Sequence, residues 1–504
     1  MDALSSLLGG FSLMLSPEGL LYCLFGVVIG TIVGVLPGLG PVGAMSILFP
    51  ISLKIGPLYG IIMLSGIYFG SMYGGSITSV LLNVPGEAAS MVTCLDGYQM
   101  AKKGRAGAAL AVCALGSWIA GTVGVVVVTF FAPWLGRAAL VLGPPEYFAV
   151  IFCGLIILSN VTGASPIKAI LGIFIGIMLS TIGIDVLTGV TRFNFGSFQL
   201  SKGIELTAIL MGMFGITEVL LTLMNPYDTQ NLIKFKFREL YPTKKELKKS
   251  ILPILRGTGL ALPIGLLPCP NGLISSLLSY KVEKSIAKHP EEFGHGAIEG
   301  VAGPEAANNA AATTGMIPLF SLGLPFTAIT AVLLGAFMVH GVVPGPMFIT
   351  TNPDLFWGLI ASFYLGNVFL LILNYPLVGV FAQIAKINPN IIMPVITGLV
   401  VIGVYTVDNS VFDLWMAFAM GLLAFIMKSV KFDITPVIIG FVLGDMLEKS
   451  FRQAMVLTGG SFMNMLQRPI VAVFISLALL VIVFRIIRVF RPGKKGIELP
   501  DEWE

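Results

Sequence analysis

Two stretches, GVLPGLGP at 34–41 and GLLPCPNG at 265–272, interrupt long apolar runs with glycine and proline. They begin 231 residues apart (265 − 34), and each is followed by a second break, LLNVPGE at 81–87 and SLGLPFT at 321–327. Pro85 and Pro325 are 240 apart (325 − 85), so the second pair keeps nearly the register of the first. In bilayer hydrocarbon an unpaired backbone group costs several kcal/mol, so a broken helix survives only where it is buried or lines a cavity. Breaks at corresponding points of two halves mark a binding site at a repeat interface, the arrangement of a transporter rather than an enzyme.

The rest of the chain is membrane-like. Of its 504 residues 56% are apolar and 11% charged, with a mean hydropathy of +0.93. An ordinary soluble domain carries roughly 25% charge. Apolar segments fall near 17–36, 57–82, 106–135, 145–160, 164–183 and 204–224. A second set lies near 251–268, 301–321, 325–345, 354–375, 392–406, 410–428 and 433–450, with a last one at 468–490. Stretches at 41–53, 86–101 and 270–280 are too short to span and read as re-entrant or half-helices. The expected fold is an all-α polytopic membrane protein of about twelve crossings. The stretch beginning near Leu20 reads as a span rather than a cleaved leader, because no basic residue precedes it.

Charge placement divides the chain into a first repeat at 1–224, a basic linker at 225–250, a second repeat at 251–450, and an extra helix with a tail at 451–504. The linker carries Lys234, Lys236, Arg238, Lys244, Lys245, Lys248 and Lys249, and the tail Arg485, Arg488, Arg491, Lys494 and Lys495. Excess Lys and Arg mark the cytoplasmic side, whereas the first 53 residues hold neither. An outer start for one repeat and an inner start for the other makes the repeats inverted, and suggests elevator-like movement of the broken hairpins against the remaining helices.

Five scattered Cys and three dispersed His support neither a disulfide framework nor a metal centre. There is no HExxH, no GxGD, and no P-loop, since the lone Gly-Lys pair is Gly493-Lys494 in the tail. No cofactor and no nucleic acid is expected. An ion channel, or a membrane enzyme without a recognised motif, is the alternative; paired breaks favour alternating access over a continuous pore.

The polar groups near the breaks are the site candidates. Pro37 lacks an amide hydrogen, and Gly38 and Gly40, flanking Leu39, open backbone angles closed to other residues. Ser76, Thr78, Ser79 and Asn83 lie on an apolar helix that stops at Pro85-Gly86, after which Glu87 and Ser90 enter the first turn of a new helix. Helix-end amides there can hold a carboxylate without a basic side chain, although Glu87 can also simply cap its helix. In the second half, Asn308, Asn309, Thr313 and Thr314 form a polar cluster at membrane depth, alternatively explained by interhelical packing. Adjacent residues on a helix point about 100° apart, so the two Asn face different ways. No Lys or Arg occurs from Tyr73 to Ala101 or from Gly300 to Ala385. An anionic substrate there needs backbone amides, hydroxyls or a bound cation. The candidate substrate residues are therefore Gly38, Leu39, Gly40, Asn83, Pro85, Gly86, Asn271, Asn308, Gly323, Pro325 and Thr327. The candidate cation ligands are Asn83, Ser79, Asn309 and Thr313.

GVLPGLGP, YGGSITSVLLNVPGE, LDGYQMAKKGRAGAAL, SYKVEKSIAKHPEEFGHGAIEGV and GPEAANNAA with IPLFSLGLP resemble the large membrane subunit of tripartite tricarboxylate transporters, the TctA family, over about residues 17–450. The resemblance implies a multi-pass subunit of the bacterial inner membrane with a cytoplasmic C-terminus. It also implies two partners, a small four-helix TctB-like membrane subunit and a periplasmic TctC-like solute-binding protein. The cargo would be a carboxylate such as citrate, driven by a Na+ or H+ gradient. Two breaks depart from the family pattern: Pro268-Cys269-Pro270-Asn271 where a PGxGP-like break is usual, and Gly323-Leu324-Pro325-Phe326-Thr327 where a GxPGS-like one is. Phe326 adds bulk beside the expected site, which leaves room for a cargo smaller or more apolar than citrate, or simply different from it.

Overall fold

A computed structural model describes residues 3–36, 39–161, 165–185, 187–224 and 241–490. The helices of the first half are α1 (Ala3–Met14), α2 (Pro17–Val35), α3 (Gly40–Ile55), α4 (Pro57–Leu82), α5 (Met91–Lys102), α6 (Ala106–Ala139), α7 (Pro144–Val161), α8 (Pro166–Ser180) and α9 (Leu206–Met224). The second half contains α10 (Lys244–Ile264), α11 (Asn271–Ile286), α12 (Glu299–Thr314), α13 (Met316–Leu322), α14 (Ala328–Val339) and α15 (Pro353–Asn374). After it come α16 (Val378–Ile384), α17 (Pro389–Asp408), α18 (Val411–Ser429), α19 (Thr435–Leu457) and α20 (Pro469–Phe490). A two-residue hairpin, Gly183–Ile184 against Thr191–Arg192, sits between α8 and α9. The protein is an all-α, multi-pass membrane protein: among the described residues six helices are long and apolar enough to cross a bilayer by length and composition.

Local chemistry sets the helix ends. Ser16 caps α2 by accepting from the Gly19 amide at 3.1 Å with Pro17 at the first position, and Thr243 opens α10 with a capping box to Glu246. Two details differ from the sequence reading. The N-terminal segment already forms α1, which packs on α15. The helix after the first NVPGE break begins at Met91, because Ser90 turns back on Glu87: its hydroxyl donates to the Glu87 carbonyl at 2.9 Å and accepts from the Glu87 amide at 3.2 Å. Glu87 and Ser90 thus precede the helix they were expected to start.

Packing depends on glycine. Along α2, a Cβ on Gly26, Gly30 or Gly34 would lie 2.5, 2.4 and 2.2 Å from the carbonyl oxygens of Met63, Ile67 and Ser71 on α4. Such backbone-to-backbone approach is how small residues hold membrane helices together. A cluster of buried rings, Phe320, Phe337, Phe348, Phe356 and Phe363, fills the space among α13, α14 and α15.

Ion pairs tie the helix ends together. Arg105 is bidentate to Glu246, at 3.0 and 2.5 Å, and Lys249 lies 3.5 Å from Glu299, so the ends of α5, α10 and α12 share one face. Elsewhere Arg452 donates to Asp185 at 2.7 Å, Arg192 to Glu448 at 2.7 Å, and Arg468 to Glu146 at 2.9 Å. The Arg452 hydrogen bond, aided by the Leu187 amide, holds the Asp185 carboxyl well below the usual carboxylate range.

Candidate functional site

The two halves build their breaks on the same backbone pattern. A Cβ at Gly34 would meet the Ser71 carbonyl at 2.2 Å, and one at Gly265 would meet the Ala311 carbonyl at 2.6 Å. Ser71 and Ala311 are 240 residues apart (311 − 71), the spacing of the second breaks. There, α4 ends at Asn83 in the left-handed region (φ 60°) and α13 ends at Gly323 likewise (φ 69°). In both, the next amide reaches back six residues: Val84 to Thr78 at 3.5 Å, and Leu324 to Pro318 at 3.3 Å. Only Gly, or Asn with its short polar side chain, adopts this conformation at small cost.

Three of the four breaks converge. Gly86 nests on Gly75 and the Gly34 carbonyl, and Gly40 (φ 55°) faces the Gly86 carbonyl. Asn308 on α12 donates its amide to the Glu87 carboxylate at 2.7 Å, while its Oδ1 lies against Gly272, next to Ala89. Asn271 donates to the carbonyls of Gly265 and Ala311, both at 3.4 Å. Gly40, Asn83, Pro85, Gly86, Asn271 and Asn308 therefore belong to one neighbourhood, with Leu39 buried at its edge; Gly38 and Pro37 lie outside the described residues. Gly323, Pro325 and Thr327 take their contacts from a different set. Gly323 abuts the Pro344 carbonyl, and Tyr147 donates to the Leu322 carbonyl at 3.3 Å. Pro325 and Phe326 line a small apolar cavity with Gly154 and Leu443. Thr327 spends its hydroxyl capping α14, accepting from the Thr330 amide at 3.2 Å.

The four candidate cation ligands also divide. Ser79 donates to the Gly75 carbonyl at 2.8 Å on its own helix. Asn309 donates to the Ser117 hydroxyl at 2.8 Å and to the Glu305 carbonyl at 3.1 Å, and Thr313 donates to the Asn309 carbonyl at 2.8 Å. Asn309 and Thr313 face a cleft with about 420 Å³ of empty space among α2, α4, α6, α12 and α15, which Tyr73 and Asn367 also line. Asn308 and Asn309 do point apart, one to Glu87 and the other to Ser117.

Sequence reasoning passed over Glu305. Its carboxylate, 1% exposed, accepts hydrogen bonds from Ser76 on α4 at 2.9 Å, from Ser117 on α6 at 3.5 Å, and from Thr93 on α5. The signal was available, because Glu305 is the only acidic residue between Gly300 and Pro353 in a run without Lys or Arg. A second missed carboxylate, Asp96, is held quite differently. Its Oδ1 accepts the amides of Gly294, Gly296 and Ala297 at 2.9, 2.7 and 2.8 Å, and its Oδ2 the Tyr280 hydroxyl at 3.0 Å. Arg256, a basic group on the same half, is taken by Glu283, its Nε donating at 2.8 Å.

The family model described as "Tripartite tricarboxylate transporter TctA family" matches residues 20–439. An uncharacterized 52.8 kDa protein in the TAR-I ttuC' 3'region of Agrobacterium vitis is 43% identical over 502 residues, covering 100% of both chains. An uncharacterized protein in the TAR-II ttuC' 3'region of the same organism is 40% identical over 239 residues, 47% of this chain and 99% of that protein. No solved structure matches.

Proposed function

Because the chain belongs to the tripartite tricarboxylate transporter TctA family, we propose that it is the large permease subunit of a binding-protein-dependent secondary transporter. It imports tricarboxylates or related carboxylates across the bacterial inner membrane on a Na+ or H+ gradient, with a TctB-like membrane subunit and a TctC-like periplasmic protein. The observation that carries this reading is the twice-built break, with Gly34 on Ser71 matched by Gly265 on Ala311 and Asn83 matched by Gly323. Broken helices whose ends meet around polar groups supply substrate sites in repeat-built transporters.

Orientation supports the same reading. The turn holding Lys102, Lys103 and Arg105 and the basic start of α10 meet through Arg105 and Glu246. By the positive-inside rule that face is cytoplasmic. The second repeat, beginning with α10, then starts inside while α2 starts outside, and the C-terminal tail is cytoplasmic. Repeats of this kind move by carrying the hairpins at 34–41, 81–87 and 265–272 against the other helices. Cargo carboxylates are held by backbone amides and by Asn83, Asn271 and Asn308; the segments 73–101 and 300–385, which carry Asn83 and Asn308, hold no Lys or Arg.

Reconstitution tests the reading. The full chain with its membrane partner in proteoliposomes, given binding protein and labelled citrate, should show saturable uptake that needs an imposed gradient. Gradient-independent conductance would make it a channel, and turnover of the cargo would make it an enzyme.

A further inference from the structure

Glu305 sits where a carboxylate has no ordinary reason to be. It is buried, and its hydrogen-bond donors among the described residues are three hydroxyls, one each from α4, α5 and α6. The titratable and charged groups packed around it are Tyr73 on α4, Glu87 at the first break, Cys94 and Asp96 on α5, and Cys113 on α6, with Arg256 on α10 and Tyr280 and Glu283 on α11 behind α12. The only cation among these, Arg256, is bound by Glu283, and Asp96 is bound by Tyr280 and three amides. Glu305 therefore has no counter-charge among the described residues. An ionisable group inside a bundle without a counter-charge is a functional group by default, since ion relays use such residues.

A second observation gives the carboxylate a route. A small pocket, with room for about one water, is lined by Tyr73, Ser76, Cys113, Ser117 and Asn374. Ser76 and Ser117 are the two hydroxyls that touch Glu305 Oε2. Asn374, 2% exposed, donates to the Leu370 carbonyl at 3.0 Å but leaves its buried Oδ1 without a hydrogen-bond partner. A polar pocket with an unanswered acceptor has the chemistry that admits water. The neighbouring cleft ends on Asn309, which donates to Ser117 from its other side. Tyr73 borders both spaces.

Resting on the transporter reading, we infer that Glu305 is the coupling site and that the ion it carries is a proton. The donors around the carboxylate favour this over a metal cation. Thr93, Ser76 and Ser117 each set a hydroxyl against it that can donate to the ionised carboxylate and accept from the neutral acid. One shell thus serves both protonation states, whereas Na+ demands a larger shell of converging lone pairs. Water in the Asn374 cavity delivers the proton to Oε2, the carboxylate becomes a neutral acid, and it returns the proton to water when the surrounding helices rearrange. Glu87, whose carboxylate is tied to Asn308 at the mouth of the breaks, stays with the cargo site.

Infrared difference spectra of the purified full-length protein, titrated with and without Na+, test this without any transported substrate. A failed citrate uptake assay and a failed Glu305 titration are thus separate results. The wild type should show a protonated-carboxyl band that disappears as pH rises. Glu305→Gln should lack it, Glu87→Gln should keep it, and Asn374→Leu, which fills the cavity, should slow its hydrogen–deuterium shift severalfold. Should Glu305→Gln fail to fold, Glu305→Asp must move the band in pH rather than leave it in place. The inference is overturned if Glu305→Gln retains the wild-type band, or if the band answers to Na+ at fixed pH and not to pH.

Discussion

After α4 the chain turns through Asn83 at φ 60°, and after α13 it turns through Gly323 at φ 69°, with the same six-residue return bond in each. The residues that follow Asn83 meet Gly40 at Gly86 and Asn308 at Glu87. Gly323 abuts Pro344, Tyr147 bonds the carbonyl before it, and Pro325 and Phe326 after it line a cavity with Leu443. One backbone solution leads into a carboxylate–amide pair, Glu87 with Asn308, in one half and into a mainly apolar cavity at Pro325–Phe326 in the other. Backbone geometry follows from where Gly, Pro and Asn stand in the sequence. Side-chain surroundings follow from which helices pack there, and these are free to differ between repeats. The first break can offer hydrogen bonds to an anion, while the second anchors a helix.

The largest effects should come from attacking what the breaks share. Gly323→Ala would force a left-handed Ala and place its Cβ 2.5 Å from the Pro344 carbonyl. Strain and overpacking together cost about 2 to 4 kcal/mol, read as a lowered melting temperature and loss of monodisperse protein. Asn83→Gly, which keeps the backbone, should leave melting nearly unchanged yet reduce uptake at least tenfold. Equal uptake by that variant would reduce Asn83 to a helix cap and erase the contrast between the two breaks.

Next come the amides of α12. Asn308→Ala strips the Glu87 carboxylate of a 2.7 Å donor and should cut uptake at least tenfold. Asn309→Ala frees Ser117 and should raise the ion concentration needed for half-maximal uptake. Wild-type rates and ion dependence in both would leave them as packing amides. Thr327→Ala should behave differently, costing about 1 kcal/mol for a lost cap and changing uptake less than twofold. A tenfold uptake loss there would make the second break a ligand site as well.

The smallest effect lies at the hairpin after α8. The folded pKa of Asp185 is lowered, so its contribution to stability is present above the unfolded value of about 3.9 and is lost as pH falls below it. Asp185→Asn should therefore be less stable than wild type at neutral pH, and the two melting curves should converge in acid.

What could be read from sequence follows the same division. The breaks at Gly34, Asn83, Gly265 and Gly323 were legible because glycine and proline act locally. The divergence of Asn308 and Asn309 was legible because helical geometry fixes it. The hydroxyl ring of Glu305 was not. Ser76, Thr93 and Ser117 lie 229, 212 and 188 positions from it, and buried Ser and Thr more often bond back to their own helix, as Ser79 does to Gly75. The late start of α5 escaped for a similar reason, since the Ser90 hydroxyl captures the Glu87 backbone before a helix can form.

The central claim is that cargo binds where the three polar breaks meet. A cryo-EM structure of the full chain with its membrane partner, in saturating citrate and with binding protein present, tests it most directly. Ligand density with its carboxylates among Gly40, Asn83–Gly86, Asn271 and Asn308 is the result expected. Density with a carboxylate paired to Arg256 or Lys281, in place of Glu283 or out at the basic face, would contradict it.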